Sequence, residues 1–140
     1  MYTITTPVHR IITALALLAL SACGDSSIFG PDNELGITNN TDQFSLQAQT
    51  LADLSGTDSY DWVVTTASAS VSHSNAALSA DTATLTILDA DGTQVYSAPL
   101  SDASNGEDTT ASGTAGTWTV TVTMNGATTD HINFQLADVP

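Results

Sequence analysis

Residues 113–124 read Gly-Thr-Ala-Gly-Thr-Trp-Thr-Val-Thr-Val-Thr-Met. Within them Trp118, Val120, Val122 and Met124 alternate strictly with Thr117, Thr119, Thr121 and Thr123. A strand turns successive side chains to opposite faces, so this period of two gathers the large apolar groups on one side and the hydroxyls on the other. Thr is β-branched and suits the wet face of a pleated sheet. The stretch predicts a strand with one buried face. Such one-sidedness belongs to antiparallel sheet, because parallel α/β strands are apolar on both faces.

The same alternation recurs outward from this run. Phe44, Leu46 and Ala48 share a face, as do Tyr60, Trp62 and Val64, Ala69 and Val71, Ala83, Leu85 and Ile87, and Ile132, Phe134 and Leu136. Turn signals separate the runs: Ser55-Gly56-Thr57-Asp58, Asp91-Gly92, Asn105-Gly106, Gly113 to Gly116 and Asn125-Gly126. Asp-Gly and Asn-Gly favour tight hairpin turns, whose central residues need positive φ. Eight or nine short strands are expected, over 35–38, 42–50, 59–66, 68–74, 82–89, 93–98, 108–112, 117–125 and 131–137. No helix of useful length is expected there. The predicted fold class is all-β, an antiparallel two-sheet β-sandwich of the jelly-roll or Ig-like kind.

The N-terminus carries a different pattern. Met1 to Arg10 is a short leader, and Ile11 to Leu20 is an apolar run of ten residues broken only by Thr13. Ten helical residues reach ~15 Å, about half of a bilayer's hydrocarbon core, so the run suits a signal h-region and not a transmembrane span. Leu20-Ser21-Ala22-Cys23 follows. These residues resemble the lipobox of bacterial lipoproteins. The resemblance implies recognition of Leu20, Ser21 and Ala22 by a signal peptidase, cleavage before Cys23, and acylation of the Cys23 thiol and the new amine. It also implies an exported protein, anchored to the membrane through lipid on Cys23. Gly24, not Asp, follows the cysteine, which favours the outer membrane. Two or three acyl chains give stable anchoring at ~0.8 kcal/mol per buried CH₂. The expected organisation is a signal peptide over 1–22, a lipidated flexible tether over 23–33 and a β-sandwich over 34–140.

Cys23 is the only cysteine, so no intramolecular disulfide can form. Arg10 is the only Lys or Arg in a chain of net charge −14. Its loss with the leader takes the exported part to −15, with no side-chain cation but histidine. Carboxylates must then be solvated, bonded to backbone amides and hydroxyls, or bound to cations. Nucleic-acid binding draws affinity from Lys and Arg on phosphates and is excluded as an expectation. Anionic lipids and acidic polysaccharides are disfavoured on the same ground. Neutral sugars, cations, basic proteins or no partner at all remain, and an envelope protein or a neutral glycan is the expected kind of partner.

A second resemblance rests on two stretches. Thr82 to Tyr96 contains the turn Asp89-Ala90-Asp91-Gly92 between alternating runs, and Gly113 to Met124 supplies a Gly-Thr-Trp strand. Together they resemble small jelly-roll sandwiches such as the pre-peptidase C-terminal and CUB-like domains. The match spans about half of the exported part and implies an accessory or binding module. Some members of those families bind calcium or sugars.

Candidate sites follow from residue types. Asp89 and Asp91 offer carboxylates at alternate positions, as calcium loops do, but no later Glu completes an EF-hand. A turn in which the Asp side chains bond their own backbone is the simpler expectation, with no cofactor. Asp102, Asn105, Glu107 and Asp108 form a second acidic segment, expected as a solvated loop. His73 and His131 are too few for zinc and are expected near strand ends, partly exposed. Tyr60, Trp62 and Trp118 could stack on a neutral sugar, yet they lie in phase with the apolar faces and are expected in the core. Tyr96, out of phase with Val95, is the candidate for an exposed ligand-binding aromatic. No G-x-S-x-G, H-E-x-x-H, P-loop or C-x-x-C is present, and no enzyme activity is expected.

Overall fold

The alternating runs become strands. The computed structural model describes residues 27–78 and 82–140; the expected leader, with Leu20, Ser21 and Ala22, and Cys23 itself lie outside the described residues. Seven antiparallel strands form: β1 (Gly36–Asn40), β2 (Gln43–Val64), β3 (Ala69–His73), β4 (Ala83–Leu88), β5 (Gln94–Pro99), β6 (Gly106–Thr109) and β7 (Gly116–Asp138). Every expected run overlaps one of them, but two pairs of runs are fused. Runs 42–50 and 59–66 are the halves of β2, and runs 117–125 and 131–137 are the halves of β7.

β2 and β7 pair with each other from Gln43 opposite Ala137 to Val64 opposite Gly116. Midway the register shifts between Leu51 and Leu54, and again before Gly56. Thr50 and Asp53 hold φ of 53° and 52°, Gly56 holds 138° and Gly126 holds 66°. These positive-φ residues bulge both strands and turn them, without ending the pairing. Hydroxyls satisfy the disturbed backbone: Asp53 N donates to Thr128 Oγ1 at 2.9 Å and Gly126 N to Ser55 Oγ at 2.8 Å. The hairpin turns expected at Ser55-Gly56 and Asn125-Gly126 are therefore bends inside continuous strands.

The bend folds one sheet into two layers. The first has the order β1, β2 (43–51), β7 (127–138), β3, β6. The second has the order β2 (56–64), β7 (116–124), β4, β5. The result is a β-sandwich whose layers share their two longest strands. Phe44, Leu46, Phe134 and Leu136 of the first layer join Trp62, Trp118, Val120, Val122, Leu85 and Ile87 of the second in one core. Trp62 and Trp118, opposite each other in register, pack edge to face with centroids 5.9 Å apart. Their indole N–H groups donate to Asn40 O and Thr114 O at 3.1 and 2.8 Å. Each fully buried side chain of this size contributes ~1.5–3 kcal/mol. No Lys or Arg occurs among the described residues, so this core and the backbone ladder hold the fold.

The folded unit starts earlier than residue 34. Phe29 is buried in the core, and residues 27–33, expected as tether, pack against the β2 bend. Asn33 Nδ2 donates to Thr50 O at 3.0 Å, and Asn33 Oδ1 accepts from Gly30 N at 2.8 Å. Ser27 Oγ donates to Asp58 Oδ2 at 2.7 Å, and Ile28 N lies 3.2 Å from both Asp58 oxygens. Ile28 sits so close to Gly56 that a Cβ there would overlap its Cγ2 methyl.

Candidate functional site

The sequence-derived candidates separate in space. Asp89 lies in the β4–β5 turn with its oxygens occupied. Oδ1 accepts from Thr93 N at 2.8 Å and Asp91 N at 3.0 Å, and Oδ2 accepts from Thr114 N at 2.9 Å. The backbone N–H of Thr114, then that of Thr93, holds its carboxyl below the usual carboxylate range. Asp91 Oδ2 accepts from Thr114 Oγ1 at 2.6 Å. These carboxylates clasp the β4–β5 turn to the 113–115 loop. Among the described residues no three of His, Cys, Asp and Glu come together as a metal site would need.

Tyr96 is buried, not exposed. A register shift in β4–β5 sets Ile87 opposite Tyr96 but Leu88 opposite Gln94, so β5 carries one extra residue. Both Val95 and Tyr96 thereby point inward. Tyr96 Oη lies 2.8 Å from His73 Nε2. Burial, with Asp108 nearby, pushes the Tyr96 phenol up to about 12. His73 is buried too, against the expectation of partial exposure, whereas His131 is exposed. Trp62 and Trp118 are fully buried, as their phase requires, and Tyr60 is half-buried beside Phe44. Asn105 exchanges two bonds with the backbone of Asn75, at 2.6 and 2.8 Å, while Asp102, Glu107 and Asp108 stay exposed.

The two outer faces of the sandwich differ in chemistry. On the four-stranded layer, hydroxyls meet hydroxyls: Thr57 with Thr123 at 3.3 Å, Ser59 with Thr121 at 3.0 Å and Thr86 with Ser97 at 3.5 Å. That face answers much of its own bonding capacity.

The five-stranded layer shows amides instead. The register sets Gln47 opposite Asn133, Ser45 opposite Gln135, and Thr38 opposite Ser45. Ser72 continues the row from Gln135 to Glu107 on β6. A groove of about 350 Å³ runs over Thr38, Ser45, Ser72, Gln135 and Glu107. A second, of about 220 Å³, shares Thr38, Ser45 and Gln135 and extends to Gln47, Asn133 and Ile37. The side-chain amides of Gln47, Asn133 and Gln135 bond to no described residue. Each keeps two donors and an acceptor free for a ligand. Glu107 is the only carboxylate lining either groove. For a chain of charge −14 this is a markedly uncharged patch.

In the sequence each of these residues is an ordinary outward position of its strand. A signal was present. The outward positions of 43–49 and 133–135 are Gln43, Ser45, Gln47, Gln49, Asn133 and Gln135, whereas the outward positions of 117–123 are all Thr. The chain matches no known protein family, no curated protein and no solved structure.

Proposed function

We propose that this protein is an exported, lipid-anchored, non-enzymatic interaction module of the cell envelope. In this reading Cys23 carries the lipid, and the amide face of the five-stranded layer takes a neutral, hydroxyl-rich partner such as a glycan chain. The observation that carries the second half is the set of unpaired amides of Gln47, Asn133 and Gln135 over grooves whose one carboxylate is Glu107. Amides both donate and accept, and so match sugar hydroxyls, which do the same. An anionic ligand would meet a strongly negative protein with no cation to receive it. Recognition would rest on hydrogen bonds in the groove, because the large aromatic rings are in the core. Affinity should accordingly be modest, since each net hydrogen bond contributes only ~0.5–1.5 kcal/mol.

Titration of neutral oligosaccharides, followed by amide NMR shifts, tests the face. Shifts should cluster on 45–47, 72 and 133–135, and Gln135→Glu should abolish them with the fold intact. Shifts located elsewhere, or none across the panel, would remove the glycan reading. For the anchor, wild-type protein made in a lipoprotein-competent bacterium should enter the detergent phase, and Cys23→Ser should lose acylation. Wild type found wholly in the aqueous phase would end that half.

A further inference from the structure

We infer that the bend of the sandwich is the membrane-facing end of the molecule, held against the lipid headgroups by a leash of four residue steps. This rests on the proposed lipidation of Cys23. Ser27, the first described residue, is fixed to Asp58 by its hydroxyl, while Ile28 is seated on Gly56 and Asn33 on the carbonyl of Thr50. Phe29, between them, is buried in the core. From Cys23 to Ser27 the chain can therefore span at most about 14 Å, at 3.3–3.6 Å per residue. Headgroups occupy roughly 5–8 Å on each side of the hydrocarbon core. Little of the leash is left to clear them. Were residues 27–33 free, the leash would run to Gly36 and reach about 45 Å. The docked segment thus decides between a domain pressed on the bilayer and one that swings above it.

The exit point also sets the orientation. Ser27 is held beside Asp58, next to the bend at 50–56 and 124–129. The opposite end carries the β4–β5 turn around Asp89, the 113–115 loop clasped to it, and the chain end, where Val139 N donates to Ser68 O. That end points away from the membrane. The amide grooves lie on a side face, along the membrane normal, open to a partner in the surrounding space.

The test uses the protein purified from a lipoprotein-competent bacterium and reconstituted into a supported bilayer of zwitterionic phosphatidylcholine. Mass spectrometry of the Cys23 peptide first establishes acylation. Its absence overturns the lipid reading and this inference together. Neutron reflectometry then reads the water layer between headgroups and protein. Wild type should show less than about 10 Å of water. Ten Gly/Ser residues inserted between Ser26 and Ser27 should open a gap of about 17 Å, the coil dimension of that linker. Gly56→Val, which evicts Ile28, should open a gap as well; the insertion variant keeps the test valid if that substitution prevents folding. An acylated wild type with a gap as wide as the insertion variant overturns the inference alone and leaves the lipid reading standing.

Discussion

The imidazole of His73 and the phenol of Tyr96 meet across the two layers, Nε2 to Oη at 2.8 Å, with the rings stacked 25° from parallel. β3 supplies one and β5 the other, so this contact ties together strands that share no ladder. His73 Nδ1 is buried with no partner among the described residues. Nε2 therefore carries all of the imidazole's hydrogen bonding. Tyr96→Phe should cost ~1–3 kcal/mol, because it leaves a buried polar nitrogen unanswered. His73→Leu should cost less, since Asp108 remains beside the Tyr96 hydroxyl as an acceptor. The double variant should be more stable than the two single losses summed, because removing both partners leaves nothing unpaired. Urea unfolding of the four proteins measures this. Strict additivity would mean that the pair does not couple the layers.

The same pair predicts a pH dependence. Burial lowers the His73 pKa below 6.5, and Asp108 opposes the shift only in part. The unfolded chain then takes up its proton before the folded one does. Stability from this group is whole above about pH 6.5 and declines as pH falls below it toward the depressed native value. The carboxylates of an unfolded chain stay ionised down to about pH 5, so the interval from 6.5 to 5 isolates the histidine. The urea midpoint should drop across it, and His73→Leu should flatten the drop. At the other extreme Tyr96 is pushed up to about 12 by burial, as is Tyr60, where Asp58 adds to it. Unfolded tyrosines ionise near 10, so stability should fall again between about pH 10 and 12.

Charge gives a separate expectation. The described residues hold thirteen acidic side chains with no Lys or Arg to offset their repulsion, in a chain of net −14. Raising NaCl from about 0.01 M to about 1 M shortens the screening length from about 30 Å to about 3 Å. The melting temperature should rise over that range. Calcium should raise it no further than NaCl of equal ionic strength, because Asp89 already spends its oxygens on three backbone N–H groups and Asp91 bonds Thr114. Calorimetry in matched salts decides between screening and a bound ion. A calcium-specific rise would make the loop at 89–92 a cation site.

The strands were legible because alternation is a local property of the chain. Trp118 through Met124 and Phe44 through Ala48 lie in the core just as their phase requires. The bends were not legible, because a hairpin turn and a bulge ask for the same residues. Gly126 supplies positive φ in either case, and only the continued partner, β2, makes it a bend. Tyr96 departs from its expected exposure for a related reason: one extra residue in β5 inverts the inside–outside rule at that point. The Asp89 turn was readable from Asp-x-Asp-Gly, but its third donor, Thr114, is 25 residues distant. The docked stretch 27–33 looked like linker by composition. Its burial depends on Gly56 leaving room for Ile28, a fit that neither segment shows alone.

The bend itself can be tested through Gly126, the β7 member of the corner. Its φ of 66° lies in the left-handed region, where a Cβ costs ~1–2 kcal/mol. An added Cβ would also come within 3.4 Å of Asp53 Oδ1, a tight approach from the β2 side of the same corner. Asn tolerates this backbone conformation better than other residues with a Cβ, so Gly126→Asn should lose about 1 kcal/mol or less. Val is β-branched and meets both the strain and the crowding, so Gly126→Val should lose about 2 kcal/mol or more. If Gly126 instead closed an independent hairpin, the loss would stay with that hairpin. In a continuous strand it must reach both layers, because β7 serves both. Hydrogen exchange can separate the two cases. Gly126→Val should accelerate exchange in 118–122 and in 132–136 alike, and acceleration confined to one half of β7 would refute the shared-strand fold.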